Sequence, residues 1–126
     1  MQDVLPATNA KQLLFHGENG KLEIALWEEE ILYLKAEHNY IALYHVHAEN
    51  VSKTLVRNNL KKLEEDFHQT QLMRVHRSYM VNLDQVTKTV RKKSGYYLQL
   101  SHFPDVDIKV SESYREAFEL RMIQRT

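Results

Sequence analysis

In the run "YIALYHV", Tyr40, Ala42, Tyr44 and Val46 alternate with Ile41, Leu43 and His45, which is the two-residue period of a strand with a largely aromatic face. Short apolar runs of the same kind fall at residues 13–16, 22–27, 31–36, 52–57, 72–75, 79–82, 85–90, 96–100 and 106–110. Asn19-Gly20 separates the first two runs as a hairpin signal, and "RKKSG" at 91–95 fits a connection between two later ones. The period changes twice. Leu60, Leu63 and Phe67 recur at helical spacing behind Asn59, which is placed to cap a helix of two to three turns whose outer face carries Lys61, Lys62, Glu64 and Glu65. Tyr114, Ala117, Phe118 and Met122 form a second stripe; Ser111 or Ser113 can cap it, and Ser113 with Glu116 matches a capping box. The pattern predicts a mainly β fold with two short helices, neither a doubly wound sheet nor a helix-turn-helix. Residues 1–12 are polar, carry Pro6 and lack periodicity, so residues 1–20 read as an arm or linker remnant plus the first strand, and 21–126 as the domain proper.

A chain of 126 residues, 43% hydrophobic, fits a single modest core. With no cysteine there is no disulfide, zinc-thiolate site or catalytic thiol, which suits a cytoplasmic setting. No apolar run approaches the roughly 20 residues of a membrane span, and no signal peptide is visible. Three glycines leave no phosphate-cradling loop, and no serine sits in a nucleophile elbow, so neither an enzyme nor a cofactor is expected. His45 and His47 share a strand face without a third ligand, which disfavours a metal. Tyr33, Tyr40, Tyr44, Tyr96 and Tyr97 have rings that stack on bases, but tyrosines in strands more often pack with a wet hydroxyl.

Charge changes the picture through its distribution. The formal net charge is zero, yet residues 1–52 hold three basic and eight acidic side chains, and residues 53–93 hold ten basic and four acidic. A polyanion responds to such a basic middle locally, whatever the whole-chain sum. Within it lies "LMRVHRSYMVNL", where Arg74, His76 and Arg77 interrupt apolar residues. A buried strand does not tolerate unpaired cations. Alternation puts Leu72, Arg74 and His76 on one face and Met73, Val75 and Arg77 on the other, and a turn at Arg77-Ser78 would lift Arg77 off the core. His76 reads as structural. Arginine's planar donor fork suits both guanine edges and phosphates.

At these residues the chain resembles the LytTR family, the DNA-binding output domain of many bacterial response regulators of the LytR/AlgR type. The resemblance runs from about Leu22 to Met122 and rests on "ILYLKAEHNYIALY", "LVRNNLKKLEEDF", "MRVHRSYMVNLDQV" and "IKVSESY". It implies an elongated fold of consecutive β-sheets whose loops, rather than a recognition helix, enter successive major grooves of double-stranded DNA. By position it implies a groove-entering loop at His38-Asn39, a base-reading Arg77 with Ser78 on phosphate, and backbone contacts from Lys92 and Lys93. A third contact region falls at Ser111. Arg57 belongs to the basic set expected on phosphate. Glu112 stands where the family commonly has arginine, and Arg115 one turn later is the substitute. The resemblance also implies paired direct-repeat sites, a domain monomeric in solution with two copies on DNA, and a receiver or sensor domain elsewhere in the full-length protein. A β-rich protein-interaction module without DNA binding is the alternative reading, motivated by zero net charge and Glu112.

Overall fold

Apolar residues on both faces of the central strands decide the architecture. A computed structural model describes residues 11–125, so most of the expected arm lies outside the described residues. Ten strands run in chain order: β1 (Gln12–His16), β2 (Leu22–Trp27), β3 (Ile31–Glu37), β4 (Tyr40–His47), β5 (Asn50–Val56), β6 (Leu72–His76), β7 (Tyr79–Asn82), β8 (Val86–Lys92), β9 (Gly95–Leu100) and β10 (Phe103–Lys109). Helix α1 (Leu60–Asp66) separates β5 from β6, and α2 (Glu112–Arg125) follows β10. Strands β5-β4-β3-β7-β6 form one antiparallel sheet, β10-β9-β8 a second, and β1-β2 a hairpin.

The five-stranded sheet is covered twice. On one face Leu13, Phe15 and Leu26 of the hairpin, with Leu60, Leu63 and Phe67 of α1, pack on Ile31, Leu34, Ile41, Leu43, Val56, Leu72 and Met80. On the other, Leu98, Leu100, Ile108, Val110 and Phe118 pack on Leu32, Tyr33, Val75, Val81 and Leu83. The ring of Tyr33 stacks on Tyr44 with centroids 4.4 Å apart and lies edge-to-face with Phe103 at 5.4 Å, so these two strand tyrosines pack as expected, whereas Tyr40 is exposed. Helix α2 is tied to the central strands at its far end, where Arg121 donates to the Thr70 carbonyl at 2.6 Å and Arg125 pairs with Asp84 at 2.9 Å. Among the described residues no helix is long and apolar enough to cross a membrane.

Local signals explain most boundaries. Gly20 takes φ 81° after Asn19, whose side chain accepts from the Lys21 N–H, closing the first hairpin. Asn59 caps α1 by accepting from the Lys62 N–H at 2.9 Å. Four details depart from expectation. Strand β5 starts at Asn50, two residues early, because Ala48 and Glu49 both adopt positive φ (49° and 70°) in a two-residue turn. Arg91 and Lys92 remain in β8, paired with Tyr96 and Gly95, so the connection shrinks to Lys93-Ser94. Strand β10 begins at Phe103 and carries Pro104, which an edge strand tolerates. Ser113 lies inside α2 rather than ahead of it, so the capping box does not form, and Ala117 is exposed while Tyr114, Phe118 and Met122 carry the packing.

The closing Asn82 of "RSYMVN" is fully buried, and its amide replaces missing ladder bonds. Its Nδ2 donates to the carbonyls of Glu28 and Ile31, both at 2.8 Å, and its Oδ1 accepts from the Asp84 N–H at 3.0 Å. Asn82→Ala leaves those groups unpaired and is expected to lower stability by about 3 kcal/mol, read from urea denaturation.

Candidate nucleic-acid interface

Four of the loops that carry the expected contacts meet at one end of the central sheet. Register places them there. Glu37 pairs with Tyr40, so His38-Asn39 is a two-residue turn at the end of β3 and β4. His76 pairs with Tyr79, so Arg77-Ser78 is the matching turn of β6 and β7. The Ala36 N–H donates to the Ser78 carbonyl at 2.9 Å and sets the two turns side by side. Ser111 donates its N–H to the Val75 carbonyl at 2.9 Å, which brings the start of α2 to the same end. Val110 donates to the Tyr96 carbonyl at 2.9 Å, beside the β8-β9 tip that holds Lys92 and Lys93. Each neighbouring pair is therefore fixed by main-chain bonds.

The turns are short and their backbones constrained. His38 has φ 57°, a left-handed conformation uncommon for residues other than glycine, and its side chain is exposed. The Arg77 side chain is exposed and has no hydrogen-bond, ion-pair or ring partner among the described residues. Behind it, Arg74 is mostly buried. Its Nη2 donates to the Arg77 carbonyl at 2.8 Å, its Nη1 approaches Glu64 of α1 at 3.4 Å, and its guanidinium lies 5.8 Å from the Tyr114 ring centre. His76 accepts the Ser78 N–H on Nδ1 at 3.0 Å, which places its ring proton on Nε2, and its ring meets Tyr79 edge-on. The structural reading of His76 holds.

The electrostatics divide the cations into two sets. Arg57 is paired with Glu18 at 2.8 Å and lies over Tyr40, and that hydrogen bond holds its proton more tightly than usual. Lys53 pairs with Glu37 and Lys62 with Asp66. Arg115 reaches Glu119 at 3.8 Å and lies over Tyr96, further along α2 than the loop tips. Arg77, Arg91, Lys92 and Lys93 have no acidic partner within ion-pair distance among the described residues, although Lys92 sits 4.7 Å from the Tyr97 ring centre. The opposite end of the sheet carries Glu28, Glu29 and Glu30 before β3, Glu49 in the β4-β5 turn and Asp84 after β7. Cations without acidic partners and this acidic group thus lie at opposite ends of the sheet, although Glu37 stands at the basic end on Lys53 and Arg125 at the acidic end on Asp84.

Other groups that invite chemistry are quiet. His45 shares a hydrogen bond with Thr54 Oγ1 at 2.9 Å, and burial lowers its pKa; His47 pairs with Glu30 at 2.7 Å. No three metal-ligating side chains gather among the described residues.

The geometry now has counterparts. Residues 11–122 match the family of the LytTr DNA-binding domain. The chain belongs to the LytTR family. It is 32% identical over 91 residues to an uncharacterised response regulatory protein of Vibrio cholerae, covering 72% of this chain and 34% of that protein. This LytTR domain therefore spans about a third of the length of that relative. Its fold matches the LytTr DNA-binding domain of a Bacillus cereus protein described as a methyl-accepting/DNA response regulator, with TM-score 0.65, 19% identity and coverage of 88% and 95% of the two chains. At that identity the likeness concerns the fold.

Sequence reasoning placed Arg77 and the turn but treated Arg74 only as part of a strand face. Its spacing, three residues before the turn, was the available signal. His76→Phe keeps the ring against Tyr79 and removes the acceptor for the half-buried Ser78 N–H; the expected loss is about 1 kcal/mol of stability in urea titrations.

Proposed function

We propose that this LytTR domain is the output domain of a bacterial response regulator, and that it binds double-stranded DNA sequence-selectively through the basic end of its central sheet. The observation that carries this is the convergence there of two two-residue turns, the start of α2 and a basic hairpin tip, with Arg77, Lys92 and Lys93 free of acidic partners among the described residues. A turn of two residues is slim enough to enter a major groove about 12 Å wide. Arg77 reads a base edge and Ser78 takes the adjoining phosphate. His38 and Asn39 enter a neighbouring groove. Lys92 and Lys93 neutralise phosphates, with Arg57 and Arg115 at the margins, and phosphate contacts set the register in which base contacts discriminate. Ser111 opens the third contact. Glu112 beside it favours the positive end of α2, repels phosphate and can accept from cytosine N4, so the third contact discriminates more than it attracts. Two copies occupy a pair of direct repeats, while the free domain is monomeric.

The test is fluorescence anisotropy with duplexes from upstream of the domain's own gene, titrated with salt. Arg77→Ala is expected to weaken binding to the specific site by roughly 1–3 kcal/mol while leaving the fold intact. If four to five phosphates are neutralised, the log–log salt slope is about −4 per domain, from about 0.9 per phosphate. Replacing Lys92 and Lys93 with alanine should flatten that slope by nearly two units and weaken specific and random duplexes alike. A wild-type slope near zero would sink the reading in favour of a protein-interaction module. A tight dimer in sedimentation without DNA would remove the assembly part.

A further inference from the structure

We infer that Arg74 is a positioning residue for DNA recognition: its guanidinium fixes the backbone of the Arg77-Ser78 turn and thereby the direction in which Arg77 leaves the protein. The inference rests on the reading of Arg77 as a base contact.

The starting point is a cation that the fold largely encloses, with 17% of its side chain exposed. Such burial is costly unless the charge is paired and hydrogen-bonded. Arg74 finds two of its hydrogen-bond partners on the turn. Its Nη2 donates to the Arg77 carbonyl at 2.8 Å, and its Nε lies 3.4 Å from the His76 carbonyl. The register between β6 and β7 slips between Arg74 and His76, so regular ladder pairing is lost just where the chain enters the turn. Main-chain carbonyls there need donors from elsewhere. A guanidinium reaches both because its nitrogens diverge in a rigid plane; an ammonium is a single point.

The same plane is held from both layers that cover the sheet. Glu64 of α1 meets Nη1 at 3.4 Å, and the ring of Tyr114 of α2 lies 5.8 Å below. His76 adds a second hold by accepting the Ser78 N–H. A turn held in this way needs no ordering when it meets a groove, so the entropy that a free loop loses on binding is already absent. Arg74 thus acts on discrimination, through the angle at which Arg77 is presented, and contributes little to general phosphate attraction.

The experiment uses the full chain and a duplex selected by the wild-type protein from a random-sequence library, with a scrambled duplex beside it. Arg74→Lys keeps the charge and removes the fork. It is expected to reduce the preference for the selected duplex by about tenfold, the scale of one misplaced base contact, with scrambled binding and salt slope unchanged. In an Arg77→Ala background the same change should have little further effect, because both act on one contact. Equal losses on the two duplexes, or fully additive losses in the double variant, overturn the inference. Should Arg74→Lys not fold, Glu64→Gln loosens the guanidinium from an exposed helix: reduced preference supports the brace and unchanged preference overturns it. An Arg77→Ala protein that loses selectivity beside an Arg74→Lys protein that keeps it overturns this inference alone. A wild-type protein that binds both duplexes alike overturns the reading of Arg77 as well.

Discussion

The inner strands β3, β4 and β7 carry apolar side chains on both faces, and neither face can be left to water. Leu34, Ile41, Leu43 and Met80 on one side and Leu32, Tyr33 and Val81 on the other are at most slightly exposed. Each leucine-sized side chain contributes roughly 1.5–3 kcal/mol when buried. Two covers are therefore required, and the chain supplies them from its two flanks: hairpin and α1 on one face, the three-stranded sheet and α2 on the other. The second cover also brings its loops. Because β9 packs against the sheet and Val110 and Ser111 bond back to Tyr96 and Val75, the β8-β9 tip and the start of α2 arrive beside the Arg77 turn. The grouping of loops at one end is a consequence of covering the sheet.

The same arrangement gives zero net charge a spatial meaning. Glu28, Glu29, Glu30 and Asp84 lie where β3 begins and β7 ends, and Arg77, Lys92 and Lys93, without acidic partners among the described residues, lie toward the end where β3 finishes and β7 begins. With a screening length of about 8 Å at physiological salt, a ligand at one end senses little of the other. Several cations of the basic stretch are also neutralised by neighbours, Arg57 by Glu18 and Lys62 by Asp66 among them. What remains outward-facing is smaller than the sequence count and more concentrated.

Local periodicity made the strands, both helices, the Asn59 cap and the Asn19-Gly20 turn legible, because each is decided by neighbours in sequence. The turn at Arg77 was legible for a different reason: an exposed arginine amid apolar residues has no place in an unbroken ladder. Pairing order was not legible from the residues. Tyr33 lies opposite both Tyr44 and Val81, and nothing local at position 33 announces a partner so far along the chain. Asn82 was missed as an anchor for the same reason, since its partners are the carbonyls of Glu28 and Ile31, more than fifty residues away. The capping box at Ser113 failed because Ser111, bonded to Val75, already fixes where α2 begins. A tertiary bond overrode a local preference.

On the proposed reading, recognition depends on direction more than on charge. A flexible basic tail carrying the same cations would neutralise as many phosphates, but each side chain would have to be ordered on the base it reads, at about 0.5–1.5 kcal/mol apiece. Here the ordering is done during folding. His38 is held at φ 57° by the strands on either side of its turn, and the backbone of the Arg77 turn is held by Arg74, His76 and Ala36. Rigid turns on a sheet buried from both faces can be displaced only by disturbing the core beneath them. That coupling lets a fold without a recognition helix present side chains with a helix's constancy of angle, and it explains why a largely enclosed arginine sits among apolar residues directly behind the proposed contact surface.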